Sequence, residues 1–430
     1  MTHSSPSSPA PSSGSGAGTA PERVFGWHNH AALWFSLGVG LLVMQIGAYL
    51  APALGTRDAL IAVIAGSILG AGLLAWVARL GCDSGLSSAG LIHAVYGQRF
   101  ARLPVLLNVV QLLGWATFEL VVMRDGTQAI ARQALGVDIG VVLPTLFWGL
   151  VVLALLRGSM ITLVRRIVSR IGLPLVILSL IWLSIQFARA LDTDGLQALW
   201  QRAGDGSMNG FQALDLVIAM PVSWLPLVAD YARHGRSGRG ALCGTWLGYA
   251  IANIWCYALG VLVITVTGPD LDMVAALLLA QGGLVALGLI LVDELDNTYG
   301  DLYSGSVSAH SLGGGIGLKT WGTILAAVSI GLAMVLPMHT LEPFLLTLSS
   351  VFVPLFGTIL GRLGTQPGRL ADAPAATHAL PALSWVLGIA FYHALAQWAP
   401  EYGSALPTLL LTFVLGAAGA RAGTRRTQTA

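Results

Sequence analysis

Asp293, Glu294, Asp296 and Asp301 put four carboxylates into nine residues, directly after the apolar run 282–292, in a chain with only 10% charged residues. Ionisable groups at bilayer depth cost about 2.5–3.5 kcal/mol each on insertion scales and persist mainly where they line a cavity or bind something. The stretch runs on through Tyr299, Leu302, Tyr303 and Val307 with helical spacing, which argues against a loop. On that helix Asp293, Asp296, Asn297, Gly300 and Ser304 share one narrow face, with Asp301 on its edge. Carboxylate, amide and hydroxyl groups together can hold Na⁺ or relay a proton, and residue types alone do not separate the two. The plainer alternative is a helix end at the membrane surface.

A second constellation is Asn108, Gln111, Trp115 and Glu119, whose spacing puts all four on one helix face. Such a stripe is costly against lipid and belongs in a bundle interior. Trp115 offers a flat surface for a ring compound, and Glu119, one turn on, can accept from a donor edge. The competing reading is a polar contact between helices. Arg124 and Asp125, near the end of the same segment, read as a structural ion pair. In the third constellation, Trp224 lies between Pro221 and Pro226, so a second ring contact competes with ordinary packing; Asp230 and Arg233 are expected to cap the end of that segment.

The elements that must carry these residues are membrane helices. Composition is 55% hydrophobic, and at about 20 apolar residues per span the chain accommodates about a dozen. Expected spans are 31–54, 57–80, 103–124, 139–156, 171–190, 210–230, 241–267, 274–296 (running on beyond 296), 321–338, 341–361, 382–399 and 404–420. Basic residues concentrate on alternate connections, among them Arg79, Arg99, Arg102, Arg157, Arg165, Arg166, Arg170, Arg233, Arg236, Arg239, Lys319, Arg362 and Arg369, against Arg57, Arg132, Arg189 and Arg202 on the others. Cytoplasmic loops carry such an excess, so both termini are expected inside, in a cytoplasmic membrane.

Two spans read as discontinuous: the first, with Gly38, Gly40, Gly47 and Pro52, and the sixth, with Pro221 and Pro226. Broken backbone at membrane depth faces protein or a cavity, and two broken helices five spans apart suit two inverted five-helix repeats with a substrate site between them. The expected units are a tail (1–24), a first repeat (25–200), a second, inverted repeat (201–365), two additional helices (366–420) and a cytoplasmic tail (421–430).

Cys82, Cys243 and Cys256 lack metal-ligand spacing and read as small packing residues. His93, His310, His339 and His393 are scattered polar residues rather than ligands. A net charge of +2 gives no reason to expect nucleic acid as a partner. The sequence carries no P-loop, HExxH, GxSxG or CxxC signature, no metal site is firmly assigned, and no organic cofactor is expected. The composition and paired breaks favour a transporter over an enzyme.

Several stretches carry a family resemblance: Leu33–Phe35 through Ala51–Pro52, Gln111–Trp115, the string from Pro221 to Tyr231, and Leu302–Ser304. With these the chain, from about residue 25 to 365, resembles the nucleobase:cation symporter-1 proteins, and within them the hydroxymethylpyrimidine (CytX-like) branch. The resemblance implies an all-α polytopic LeuT-type fold, two inverted five-helix repeats plus two C-terminal helices, and a planar heterocycle held between aromatics of the third and sixth spans. Trp115 matches the first aromatic. Pro221 stands at the usual position of the second, with Trp224 three residues on. Glu119 matches a substrate-contacting position that is often an amide, and Asn297 and Asp301 match polar positions near the substrate. The resemblance places a coupling ion between the first and eighth spans, near the backbone of Gly38 and Leu41. Leu295 and Asp296 stand on the eighth where small or hydroxyl residues are usual, which makes H⁺ an alternative to Na⁺.

The expected function is import of a pyrimidine, hydroxymethylpyrimidine (a thiamine precursor) first, by cation symport, with cytosine, hydantoin or allantoin, and thiamine as alternative substrates. The rivals are a membrane enzyme binding Mg²⁺ and a lipid diphosphate at the acidic cluster, and a non-transporting sensor. The expected partners are the heterocycle and the lipid bilayer; the oligomeric state is left open.

Overall fold

The computed structural model describes residues 21–191, 193–268, 271–313, 315–336, 341–364 and 379–428. Most of the expected N-terminal tail, His339, Arg369 and the link at 366–378 lie outside the described residues. Two short β-bridges apart, the described chain is helical.

The helices are α1 (Trp27–Ser36), α2 (Leu41–Leu54), α3 (Thr56–Ser84), α4 (Ser88–Tyr96), α5 (Arg102–Leu135), α6 (Val142–Leu156), α7 (Leu173–Arg189), α8 (Thr193–Gln201), α9 (Gly210–Ser223), α10 (Leu225–Ala232), α11 (Gly238–Thr267), α12 (Met273–Leu278), α13 (Gly283–Ser311), α14 (Leu318–Val335), α15 (Leu341–Gly364), α16 (Ala379–Trp398) and α17 (Ala405–Gln428). A π-helical stretch, Leu163–Gly172, leads directly into α7. Among the described residues, eight helices can cross a membrane by length and apolarity, α1 and α2 form a ninth crossing bent by 63°, and α6 and the Ala405–Arg421 part of α17 are shorter apolar helices. With α13, whose acids keep it out of that apolar set, these account for the twelve expected spans. Helix α17 continues to Gln428, into residues expected to be tail.

The element order repeats: interrupted helix, long helix, short helix, long helix, then two more. The packing repeats with it. The first interrupted helix, α1–α2, lies along α11, and the second, α9–α10, lies along α3. Both contacts use small residues one turn apart, which let backbones approach closely. A Cβ on Gly244 or Gly248 of α11 would collide with the carbonyls of Trp27 or Ala31, and one on Gly260 with that of Met44. Ala252, on the same stripe, abuts Gly38. On α3 a Cβ at Gly66 would sit 2.6 Å from Val217, one at Gly81 would sit 2.5 Å from Ala229, and one at Gly70 would collide with the Pro221 ring. Ile61, Ile64 and Ile68 of α3 are exposed on the remaining side, the side left for lipid.

Three local expectations need correction. The eighth span does not start near 274. Met273–Leu278 is a separate short helix, and the chain reverses at Gly282, which adopts φ +73° before α13 begins. A side chain there is strained, and a Cβ on the next residue, Gly283, would collide with the Leu277 carbonyl. The sixth span is interrupted only at Trp224 and otherwise runs as one crossing from Gly210 to Ala232. Pro226 lacks an N–H, and the amides of Leu227 and Val228 both donate to the Trp224 carbonyl, at 3.1 and 3.0 Å. Asp230 does not cap its own helix. It accepts from the Ser88 amide at 3.0 Å and so caps the start of α4.

Candidate functional site

The α5 stripe divides by depth. Asn108 and Gln111 hold the interruption of the sixth span. Asn108 Nδ2 donates to the Pro226 carbonyl at 3.0 Å and to Ser308 at 2.9 Å, and Gln111 Nε2 donates to the Ser223 carbonyl at 3.1 Å. Those carbonyls lie at the interruption, so amides at these positions stabilise it. The Gln111 Oε1 is buried without a partner. One turn on, Trp115 meets the edge of Phe344 from α15, with ring centroids 5.2 Å apart, and lies 6.1 Å from Phe118. Another turn on, Glu119 faces Asp301, Glu294 and Thr298 of α13. The glutamate and Asp301 are 2% and 1% exposed, and their carboxyl groups lie within hydrogen-bonding reach of each other, with Thr298 also bonded to Glu119.

The break between α1 and α2 is closed by α13. Glu294 Oε1 accepts from the Leu41 amide at 3.0 Å, the first residue of α2, and Oε2 accepts from Asn297 Nδ2 at 3.0 Å. Asn297 Nδ2 also donates to the Val39 carbonyl, 3.3 Å away. A carboxylate at a helix N-terminus meets unsatisfied amides and the positive end of the helix dipole. Gly38 and Leu41 therefore sit in the break, with the Leu41 amide taken by Glu294. A Cβ on Gly40 would stand 3.0 Å from the same Oε1, so any larger residue there must push the Glu294 carboxylate back.

The four acids do not act as one face. Asp293 accepts from the Ser36 hydroxyl at 2.8 Å, and Asp296 lies beside Asp293 and faces the same hydroxyl. The two line a cavity of about 180 Å³ walled by Leu155 of α6, Val168 and Ile171 of the π-helical stretch, and Leu175 of α7. Glu294 and Asp301 point instead toward α2 and α5. Helix α13 is buried on several sides, so its two acidic faces serve two neighbourhoods.

On the sixth span Pro221 turns its ring onto Gly70 of α3. The Trp224 ring lies edge-on to Trp34 at 6.1 Å and close to Gly300. Arg124 pairs with Asp125 at 2.7 Å and donates to the Ala333 carbonyl, as a structural pair does. Two participants escape a sequence reading. Phe344 follows Glu342 and Pro343 with nothing to mark it as a ring partner of Trp115. Glu294 was visible as an acid, but its partner, the Leu41 amide, was not.

Residues 19–351 match the family of permeases for cytosine/purines, uracil, thiamine and allantoin. No curated protein matches the chain. The fold is shared with Mhp1, a nucleobase-cation-symport-1 family transporter, in a closed conformation with bromovinylhydantoin bound, at TM-score 0.82 and 14% identity over 96% of each chain. It is shared also with inward-facing Mhp1, at TM-score 0.75 and 15% identity over 94% of this chain and 92% of that one. A Na⁺-coupled sialic acid symporter in a substrate-bound outward-open state aligns at TM-score 0.66 and 13% identity, over 93% of this chain and 90% of that one. The architecture is thus the all-helical LeuT-type fold that these proteins share. The chain belongs to this family of permeases for cytosine/purines, uracil, thiamine and allantoin.

Proposed function

We propose that this permease imports hydroxymethylpyrimidine, the thiamine precursor, by symport with a cation. The observation that carries the reading is the placement of Glu119 one turn from the Trp115–Phe344 pair and opposite Asp301. Trp115 supplies a face for the ring. Glu119 supplies paired acceptors for a ring nitrogen and its exocyclic amine. Gln111, Asn297 and Trp224 border the same region through the two helix interruptions. Coupling is assigned to Asp293 and Asp296, beside Ser36 at the end of α1, with H⁺ ahead of Na⁺. The units are the repeats 25–200 and 201–365 and the added helices 366–420, in a cytoplasmic membrane with both termini inside.

The deciding experiment is uptake by proteoliposomes of labelled hydroxymethyl-aminopyrimidine, with cytosine, a hydantoin and thiamine as competitors. Saturable uptake in which the unlabelled pyrimidine competes best is expected. Uptake of a hydantoin that this pyrimidine does not inhibit would remove the assignment.

Trp115→Ala is expected to lower substrate affinity roughly 5- to 150-fold, from the loss of stacking worth about 1–3 kcal/mol per base. Trp115→Phe should retain part of it. Titration of the purified variants checks this, and unchanged affinity in a folded alanine variant takes Trp115 out of the site.

A further inference from the structure

The buried groups around the proposed ring site are unbalanced in one direction. Gln111 Oε1 and Asn297 Oδ1 are buried amide acceptors without partners, and the facing carboxyls of Glu119 and Asp301 hold more acceptor sites than their one mutual contact uses. On the donor side stands the Trp115 indole N–H, also unpartnered. The bearing residues are between 1% and 5% exposed. Buried polar groups left without partners cost about 1–3 kcal/mol each, more when charged, so a ligand filling this space gains most by bringing donors. A ring rich in carbonyls, such as a dioxo-heterocycle, would add acceptors to a surplus of acceptors.

Charge points the same way. Glu119, Asp301 and Glu294 converge from α5 and α13, and Tyr231 of α10 is the titratable neighbour from the sixth span. Glu294 has its oxygens engaged by the Leu41 amide and Asn297, whereas the carboxyls of Glu119 and Asp301 chiefly face each other across α5 and α13. The ion pairs Arg79–Asp83, Arg124–Asp125 and Arg132–Asp138 lie elsewhere. Two carboxyl groups facing each other with an aromatic ring one turn away suit a flat cation, for which desolvated carboxylates supply charge-assisted hydrogen bonds and the aromatic face adds attraction.

Resting on the site assignment above, we infer that the pocket takes its heterocycle as a protonated amidine: a ring N⁺–H and the adjacent exocyclic N–H shared between Asp301 and Glu119. The substrate class is then an amino-substituted, ring-protonated azine, and the oxo counterpart of the same outline is excluded by electrostatics, not by shape.

The test uses the purified full chain, with hydroxymethyl-aminopyrimidine and the analogue in which a carbonyl replaces the amine. The amino ligand is expected to bind at least tenfold more tightly, and its ultraviolet difference spectrum on the unaltered protein to be that of the protonated ring. Glu119→Gln and Asp301→Asn, each close in shape to the original, should erase the preference while sparing the oxo analogue. A neutral-ring spectrum, equal affinity for the two ligands, or equal losses for both in the variants overturns the inference. The spectrum needs no variant, so a misfolded mutant does not blunt the test. Uptake of the pyrimidine with a neutral bound ring would sink the cation reading alone. Binding of a different protonated amidine, with hydroxymethyl-aminopyrimidine ignored, would remove the proposed substrate and support the charge inference.

Discussion

Gly260→Leu is expected to yield little or no folded permease. At this point α11 and α2 touch backbone to backbone. A Cβ on Gly260 would collide with the Met44 carbonyl, and one on Gly47 with the Tyr257 carbonyl. Neither obstacle is the movable end of a side chain. Accommodating even alanine requires the helices to separate, and overpacking of this kind costs typically about 1–3 kcal/mol. Leucine adds three more carbons to a gap that holds none. Separation would also pull α2 from Glu294, whose bond to the Leu41 amide closes the break, so the damage reaches the site. Gly288→Leu is the matched control, because a Cβ there meets nothing within 4 Å. Size-exclusion profiles and thermal midpoints in detergent are the measurement. Equal midpoints for the two leucine variants would show that α2 and α11 do not approach as closely as drawn.

That contact also shows what a sequence can carry. Gly244, Gly248, Ala252 and Gly260 recur at helical intervals, so a small-residue stripe was readable, but its partner was not. The break in the first span was signalled by Gly38 and Gly40, because little else tolerates a tight backbone approach. The two prolines of the sixth span signalled a larger break than exists. Asn108 and Gln111 satisfy the carbonyls at the interruption and allow the helix to continue. Two prolines also could not say which way a ring turns, and Pro221 faces α3. The start of the eighth span was misplaced because Leu277 to Leu291 is apolar almost throughout. Only the turn at Gly282 separates its two helices, and hydropathy does not register a turn. The acids of α13 were conspicuous, yet their division into two groups was hidden. Periodicity assigns faces by contrast with an apolar side, and a helix buried on several sides offers little contrast.

Asp296→Asn is expected to leave substrate exchange in place and to abolish accumulation against a gradient. Asp296 stands beside Asp293 at the edge of an apolar cavity, and both face the Ser36 hydroxyl of α1, which donates to Asp293 at 2.8 Å. Two negative charges so placed repel strongly in a poorly polarisable medium, and a single cation, H⁺ or Na⁺, relieves the repulsion. Because Ser36 ends the first half of the broken span, occupancy of this pair bears directly on the position of α1. A ligand shifts a conformational equilibrium only through a difference in its affinity for the two states, and here that difference arises when α1 carries Ser36 toward or away from the acids. Asparagine keeps the size and loses the charge, so the permease can still cycle with substrate bound but has no cation to draw energy from. With H⁺ as that cation, proteoliposomes bearing the unaltered chain accumulate substrate under an imposed pH gradient and hardly respond to Na⁺. The asparagine variant then shows equal counterflow with or without the gradient. Accumulation that follows an imposed Na⁺ gradient and ignores pH would overturn proton coupling and make Asp296 a carboxylate ligand of Na⁺. Gradient-driven accumulation by the Asp296→Asn protein would remove the residue from coupling altogether.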